Sequence, residues 1–209
     1  FKSVFMPETL EKKDICIVVV TYFPQAGFLE KYRTLVCEAG SMICVDNHSE
    51  ANTINEIEQF ASVNKNIQFI LNEDNEGIAR ALNQGIQKAT ELGFQWVLTL
   101  DQDTDFEEKI LDALLQIYME SKNKEKIAVI GSNFVNKNSG ILWCSSLPSG
   151  QTWIEKDFVI TSGSLHSLKA VDQTGLYQEE LFIDEVDIEF CFRARRKGYR
   201  ILMSVRPLI

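Results

Sequence analysis

Three aspartates lie within five positions of the sequence, at the end of an apolar, strand-like run. Asp101, Asp103 and Asp105 follow Leu100. Carboxylates this close together repel one another unless a positive charge lies between them. One or two of them could hold Mg²⁺ or Mn²⁺, with a substrate diphosphate completing the coordination shell, as is usual for hard, well-hydrated cations. We expect Asp105 to cap a helix that begins near Glu107.

Two other kinds of protein also contain such a run. A calcium-binding loop needs Gly at its sixth position, where this chain has Phe106, and usually Glu at its twelfth, where it has Asp112. A phosphatase with an aspartyl nucleophile places Asp-x-Asp after the first strand of its domain, whereas the first strand here ends in Thr21 and Tyr22. From the residues alone, a calcium-binding interaction module and an Asp-based phosphatase stay open as alternatives.

A second group of acids lies near the end of the chain. Asp184, Glu185, Asp187 and Glu189 directly follow the apolar residues 181–183. Acids in the first turn of a helix suit the helix dipole without any function. Four acids crowded beside apolar side chains exceed what the dipole accounts for, so they are candidates for general-base work.

Strand and helix signals alternate along the chain and would position these residues. Continuous β-favouring runs, typical of strands covered on both faces, occur at 15–21, 41–46, 66–71, 95–100 and 126–131. The clearest helical segment is 76–94, which Gly93 ends, and 185–197 is a further helix that Gly198 closes. Strands separated by such helices imply βαβ crossovers. We expect an α/β, Rossmann-like fold with a central, mostly parallel sheet and helices on both faces.

Polar side chains follow four successive strands, at the point where each strand ends. Sheets of this kind bind ligands in the crevice beyond the carboxyl ends of the strands. One polar turn would be routine, because Asn and Asp are favoured there for backbone reasons, but four together predict a single crevice. Gly77 begins a helix beside them, where unpaired N–H groups favour anions. The strand-end residues are Thr21 and Tyr22, Asp46 and Asn47, Asn72 and Asn75, and 101–105.

Composition limits the class of partner. With 209 residues, 45% of them hydrophobic, the chain can bury one full core, and we expect a single domain over residues 1–209. A formal charge of −9 repels phosphate backbones, so a general nucleic-acid binder is excluded. The five cysteines have no CxxC spacing and are expected to be reduced thiols of a cytoplasmic protein, with Cys16 and Cys44 buried. No apolar run approaches the roughly 18 residues of a spanning helix.

Six motifs in a fixed order give the chain a resemblance to a known family. They are VVVTYFP at 18–24, VDNHS at 45–49, NEGIARALNQGI at 75–86, LDQD at 100–103, TSGSL at 161–165 and FIDEVDIEFCFRARRKGYRI at 182–201. From about residue 15 to 202 the chain resembles the inverting family-2 glycosyltransferases, which have the GT-A fold, and among them the rhamnosyltransferases. The resemblance implies a nucleotide-diphosphate sugar donor, a divalent metal and inversion at the anomeric carbon. It divides the domain into a nucleotide-binding part, about 15–131, and an acceptor and catalytic part, about 132–209.

The resemblance also implies roles for individual residues. Asp103 would be the main metal ligand, with Asp101 in the same metal site and nearer the ribose. Asp46 would meet the nucleotide base. The family's catalytic base lies six positions before an arginine of the last helix, which is Asp187 when counted from Arg193. The other donor-side residues would be Thr21, Tyr22, Asn75, Gly77 and Gln102, and the acceptor-side residues Ser162, Gly163, Asp184 and Glu185.

The expected reaction is transfer of rhamnose from dTDP-rhamnose to a glycan or lipid-linked acceptor in cell-surface polysaccharide synthesis. A UDP-hexose-dependent transferase of the same fold is the alternative. A histidine beyond the final strand often completes the metal shell in the family, so a third ligand is expected beyond Ile209, in a segment that could also reach the inner face of the membrane. His48 stands where Gly is common and must tolerate a positive φ, and His166 is expected on the surface of a helix.

Overall fold

The computed structural model of the chain describes residues 9–145 and 150–209. Residues 1–8 and 146–149, which the expected domain over 1–209 includes, lie outside the described residues. The described parts form one eight-stranded, mostly parallel sheet, which confirms the predicted α/β class. Its strands are Ile15–Thr21 (β1), Ser41–Asp46 (β2), Ile67–Leu71 (β3), Trp96–Asp101 (β4), Ile127–Asn133 (β5), Trp153–Glu155 (β6), Ser164–Ser167 (β7) and Arg200–Pro207 (β8).

Six α-helices accompany the sheet within these described ranges, and short 3₁₀ turns join some of the elements. The turn Phe28–Tyr32 leads into the first helix, and the turn Glu179–Leu181 precedes the last one. The helices are Arg33–Glu38 (α1), Ala51–Val63 (α2), Gly77–Glu91 (α3), Ile110–Glu120 (α4), Leu168–Thr174 (α5) and Val186–Arg196 (α6).

Helices on the two faces of the sheet bury two apolar layers. Every residue of β1 is buried, as its continuous apolar run predicts. Ile17 and Val19 pack in the layer formed with α1, α2 and α4. Cys16 and Val18 pack in the layer formed with α3, α5 and α6. Successive side chains of β1 point to opposite faces of the sheet and pack in both layers, so β1 lies at the centre of the fold.

The strands lie in the order β3-β2-β1-β4-β7-β5-β8-β6. The first four strands along the chain pair in parallel, so their carboxyl ends share one edge. Strand β7 runs antiparallel between β4 and β5, which are not hydrogen-bonded to each other. This insertion brings residues near position 162 to the carboxyl end of β4, because β7 begins at Ser164.

Most local predictions from the sequence are confirmed. All five predicted strands are present, within a few residues of the expected ends, and both predicted helices form. Gly93 and Gly198 follow those helices with φ of 85° and 81°. Cys16 and Cys44 are buried and free. His48 adopts φ of 72°, the positive value expected where glycine is common.

Two predictions are wrong. The helix after the Asp-rich run begins at Ile110, not near Glu107, so Asp105 does not cap it. Asp105 instead forms an ion pair with Lys137 at 2.9 Å. His166 lies in β7 rather than on a helix surface, and it is buried against Tyr177. A central strand in a sheet with two covered faces buries alternate side chains on both sides, and a single histidine gave no local signal of that burial.

Candidate active site

The carboxyl ends of β1, β2, β3 and β4 lie side by side at one edge of the sheet. In the strand register Thr21 is level with Asp46, and Val20 is level with Asp101. Asp46 is in turn level with Leu71 at the end of β3. The polar strand ends therefore converge at one edge, as the sequence predicted.

Asp46 is held in a fixed orientation at the end of β2. Its Oδ2 accepts a hydrogen bond from the Thr21 hydroxyl at 2.8 Å, and its Oδ1 accepts one from the backbone N–H of Ser49 at 2.7 Å. Asp46 and Thr21 are buried, whereas Tyr22, next along the chain, is half exposed. Each carboxylate oxygen retains a further lone pair that these two bonds do not use.

Asparagine side chains hold the beginning of α3 against the ends of β2 and β3. The amide of Asn47 donates to the carbonyl of Gly77 at 3.1 Å, and Asn75 Oδ1 accepts from the Gly77 N–H at 3.0 Å. Asn72 donates both to Asn47 Oδ1 at 2.8 Å and to Gln84 Oε1 at 2.9 Å. Asn75 and Gly77 thus lie where the sequence placed them, and they fix the helix start.

Ser162 joins the turn before β7 to the end of β4. Its Oγ accepts a hydrogen bond from the Asp101 N–H at 3.0 Å and lies 2.6 Å from the Thr104 hydroxyl oxygen. The next residue, Gly163, has φ of 70° and donates its N–H to the Thr99 carbonyl at 2.8 Å. Ser162, predicted on the acceptor side, therefore contacts residues 101–105 (the aspartate loop) directly, whereas Gly163, predicted on the same side, contacts β4 just before that loop.

The aspartate loop is also held by two residues that sequence reasoning missed. Lys31 Nζ donates to the carbonyls of Gln102 and Thr104 at 2.6 and 2.9 Å, and the Tyr32 hydroxyl donates to the Asp101 carbonyl at 3.0 Å. Both residues lie on the 3₁₀ turn Phe28–Tyr32, about 70 positions earlier in the chain. No local pattern in a short turn of this kind predicts such a long-range contact.

A cavity of about 610 Å³ lies beside this loop. Asp103, Lys31 and Lys137 are among its lining residues, so it carries charges of both signs. Gln102 also lines it, and its side chain is hydrogen-bonded to the backbone of Tyr22 at 2.7 Å. The loops that follow β1 and β4 are therefore joined at the edge of this cavity.

The pKa of Asp101 is affected by carboxylates near in the sequence and by one that is distant in the sequence. Burial and, to a smaller extent, the negative charges of Asp103 and Asp187 together raise the pKa of Asp101 to about 6, against a smaller opposing effect of Ser162. The effect of Asp187 shows that the start of α6 lies within electrostatic reach of the end of β4. Asp187 Oδ1 also accepts a hydrogen bond from the N–H of Ile188 at 2.8 Å.

The acids around the start of α6 are in different situations. Glu189 is engaged in an ion pair with Arg193 at 2.7 Å. Asp184 and Glu185 are exposed and precede the helix, and Glu185 has φ of 62°. Asp187 is partly buried in the first turn, and its negative charge is among those that raise the pKa of Asp101. Glu189 is thus bound to Arg193 within α6, and Asp187 is the candidate base in the first turn of that helix.

The donor set of this edge fits a hard divalent cation. Asp101 and Asp103 carry oxygen atoms that could serve as ligands, and the raised pKa of Asp101, caused first by burial and then by neighbouring negative charges, is one that a bound cation would lower. Across the described ranges, no group of three or more His, Cys, Asp or Glu side chains is arranged to hold a metal ion. The protein oxygens present therefore fit a site that a bound diphosphate completes, rather than a closed cage.

The fold and the polar residues at the carboxyl ends of the strands are those of an α/β enzyme. Carboxylates and loops that are held by hydrogen bonds to their backbone form its crevice. Residues 16–197 match the model of glycosyl transferase family 2, and the chain belongs to this family. Membership sets aside the calcium-binding module and the phosphatase that the Asp-rich run alone left open.

Relatives of known activity are glycosyltransferases. The chain is 29% identical over 206 residues to the dTDP-rhamnosyl transferase RfbF of Shigella flexneri, covering 93% of this chain and 67% of the relative. It is 25% identical over 205 residues to the low-salt glycan biosynthesis hexosyltransferase Agl10 of Haloferax volcanii, covering 90% of this chain and 64% of the relative. The chain thus spans about two thirds of the length of these relatives.

A solved structure confirms the GT-A fold. The structure of GalNAc-T7 with UDP, GalNAc and Mn²⁺ superposes with a TM-score of 0.72 at 14% identity, covering 91% of this chain and 42% of that chain. At this identity the likeness shows the fold alone. None of the helices in the described ranges is long and apolar enough to cross a membrane.

Proposed function

We propose that this glycosyltransferase transfers rhamnose from dTDP-rhamnose to a glycan or lipid-linked acceptor, with inversion at the anomeric carbon. The similarity to a dTDP-rhamnosyl transferase over 93% of the chain supports the donor. The observation that carries the chemistry is the hydrogen bond from the Ala79 N–H to the Phe182 carbonyl, because it holds the segment before α6, and with it the candidate base Asp187, at the beginning of α3.

The donor nucleotide would lie along the ends of β1 and β2. Thr21 and Ser49 hold the Asp46 carboxylate so that a remaining lone pair can accept the N–H of a thymine or uracil base. Tyr22 is exposed at the same edge and would line the pocket. The diphosphate would extend toward Asp101 and Asp103, where Mg²⁺ or Mn²⁺, when bound, would stabilise the negative charge of the leaving group.

Asp187 would act on the acceptor. Its carboxylate takes the proton of the attacking hydroxyl as the acceptor oxygen bonds to the anomeric carbon, and the bond from that carbon to the diphosphate breaks with its electron pair. Attack opposite the leaving group inverts the configuration. Asp184, Glu185, Ser162 and Gly163 would border the acceptor side of the crevice.

A UDP-linked hexose is the second candidate donor. The relative from Haloferax volcanii is a hexosyltransferase. A carboxylate at the position of Asp46 accepts the same N–H from uracil and thymine, so this contact does not separate the two bases.

Thermal unfolding with a panel of donors tests the proposal. A ligand present at 100 times its dissociation constant stabilises the native state by about 2.7 kcal/mol. For a chain of this size that corresponds to a rise in Tm of roughly 5–10 °C. We expect this rise with dTDP-rhamnose and Mn²⁺, and a much smaller one with GDP-mannose or when EDTA replaces Mn²⁺.

A matched pair of variants identifies the metal site. Asp103→Ala should abolish the Mn²⁺-dependent part of the rise, whereas Asp172→Ala, an exposed aspartate on α5, should keep it. A rise of equal size in EDTA and in Mn²⁺ would contradict metal-assisted donor binding. A larger rise with a UDP-hexose than with dTDP-rhamnose would favour the second candidate, and NMR of the transferred sugar would report inversion or retention.

A further inference from the structure

The backbone just before α6 contains a turn that ordinary residues rarely adopt. Phe182 has φ of 58° and ψ of −65°, and the N–H of Ile183 donates to the carbonyl of Leu181 at 2.6 Å. These values define a γ-turn of the rare, strained form. Glu185, the last residue before α6, also has a positive φ of 62°. Such conformations persist only where the surroundings determine them, and they concentrate at functional sites.

The start of α3 holds this turn in place. The carbonyl of Phe182 accepts a hydrogen bond from the Ala79 N–H at 3.2 Å, which satisfies one of the free donors at the beginning of a helix. The ring of Phe182 lies directly against the backbone of Gly77. A Cβ atom at Gly77 would be 2.6 Å from the ring and 2.8 Å from the Phe182 carbonyl oxygen, closer than real atoms approach. Phe182 can therefore pack against the backbone of residue 77 only because Gly77 has no side chain.

The same helix start is tied to the donor side of the crevice. Gly77 accepts a hydrogen bond from Asn47, the residue after Asp46. Further along α3, Asn83 donates to the Tyr177 carbonyl at 2.9 Å and to the Glu179 carboxylate at 3.0 Å. A continuous set of contacts therefore runs from the end of β2, through α3, to the segment that leads into α6.

We propose that Phe182 is a positioning residue for Asp187. Its γ-turn, clamped on α3, sets the point at which α6 begins, and Asp187 lies in the first turn of that helix. The clamp holds the acid at a fixed distance from the donor side of the crevice, where a displacement of an ångström matters greatly for reaction. Phe182 does not act on the substrate itself in this account. The inference rests on the proposed function, in which Asp187 is the base.

A double-mutant cycle on the full-length enzyme tests it. The variants are Phe182→Ala, Asp187→Asn and the pair together, and the readouts are kcat for transfer and the dissociation constant of the donor. We expect Phe182→Ala alone to lower kcat at least about tenfold and to change donor affinity by less than about twofold. In the Asp187→Asn background the same substitution should cost less than about threefold, because residues that act as a unit are not additive.

Three controls complete the design. Phe182→Tyr keeps the ring and should retain kcat, and Phe182→Leu serves if the alanine variant fails to fold. Phe192→Ala removes a similarly exposed ring from α6 itself and should leave kcat unchanged. Equal losses from Phe182→Ala in both backgrounds would overturn the inference, since Phe182 would then act independently of Asp187. Near-normal kcat in Asp187→Asn alone would instead refute the base assignment in the proposed function.

Discussion

The side chain of Gln102 makes two hydrogen bonds to the backbone of Tyr22. Oε1 accepts from the Tyr22 N–H at 2.7 Å, and Nε2 donates to the Tyr22 carbonyl at 3.0 Å. Tyr22 follows β1 and Gln102 follows β4, and these strands are neighbours in the sheet. The side-chain amide of Gln102 thus bonds to the N–H and the carbonyl of Tyr22, as a backbone peptide group of a neighbouring strand would. The proposed base pocket and metal site are joined by this pair of bonds.

We expect Gln102→Ala to weaken donor binding, because the two loops that hold the nucleotide and the diphosphate would no longer be fixed to each other. Two partly exposed hydrogen bonds contribute about 1–2 kcal/mol, which corresponds to a roughly five- to thirtyfold rise in the donor dissociation constant. Titration calorimetry in Mn²⁺ measures it. Gln116→Ala, which removes a side-chain hydrogen bond on α4, is the matched control and should leave affinity unchanged.

Asp103→Ala should leave the metal-free protein as stable as the parent or slightly more stable. Asp103 is exposed, and its charge repels that of Asp101. Surface substitutions of this kind change the unfolding free energy by about 0.5 kcal/mol or less. Chemical denaturation in EDTA provides the measurement, and a loss above about 2 kcal/mol would mean that Asp103 serves the fold instead of the metal.

The stability of the metal-free protein should depend on pH through Asp101. Its pKa is raised to about 6 in the folded state, so its stabilising contribution is complete below the unfolded pKa of about 3.9 and is lost as pH rises through 6. We therefore expect Asp101→Asn to gain stability relative to the parent between pH 4 and pH 7, by up to about 3 kcal/mol.

The buried His166 changes the unfolding free energy with pH in the opposite direction. Comparing the parent with Asp101→Asn removes this contribution. Burial lowers its pKa to about 3, so its contribution is lost as pH falls below the unfolded value of about 6.5. Parent and variant share His166, and it cancels in their difference. A difference in unfolding free energy that stays constant from pH 4 to pH 7 in EDTA would show that Asp101 is not perturbed.

Asp187→Asn should lower kcat at least about 100-fold, because a positioned general base contributes roughly 10²- to 10⁴-fold. Asparagine keeps the size of the side chain, so donor affinity should be nearly unchanged. Glu185→Gln, an exposed position just outside α6, should cost much less. Steady-state transfer assays with the full-length enzyme separate the two. If Glu185→Gln abolishes transfer and Asp187→Asn retains it, the base is Glu185.

Gly77→Ala should destabilise the protein more than Gly93→Ala. Both glycines have positive φ, 80° and 85°, so each substitution costs about 1–2 kcal/mol of backbone strain. A Cβ at Gly93 meets open space, whereas one at Gly77 overlaps Phe182. Overpacking adds about 1–3 kcal/mol, and denaturant unfolding of the two variants should show that difference. Equal losses would mean that Phe182 moves aside freely.

Local periodicity was sufficient to predict strands β1–β5, five of the eight strands in the described residues, and the edge at which the candidate site lies. The apolar run of β1 and the spacing along α3 each depend on nearby residues, and both were predicted correctly. The contacts that hold the site are of another kind. Lys31 reaches carbonyls about 70 positions away, and Phe182 covers Gly77, more than 100 positions earlier. Pairings of that range depend on tertiary packing, for which one sequence has no periodic signal.

The order of the strands has a consequence for how the chain assembles during synthesis. Strand β5 has no partner among β1–β4, because β7 lies between it and β4, and β7 leaves the ribosome later than β5. We expect the first four strands to form an early folding unit, since chains fold from the amino terminus as they emerge. Strand β5 must then wait for β7 and β8. The nucleotide-facing half of the crevice would therefore be in place before Asp187 arrives to complete it.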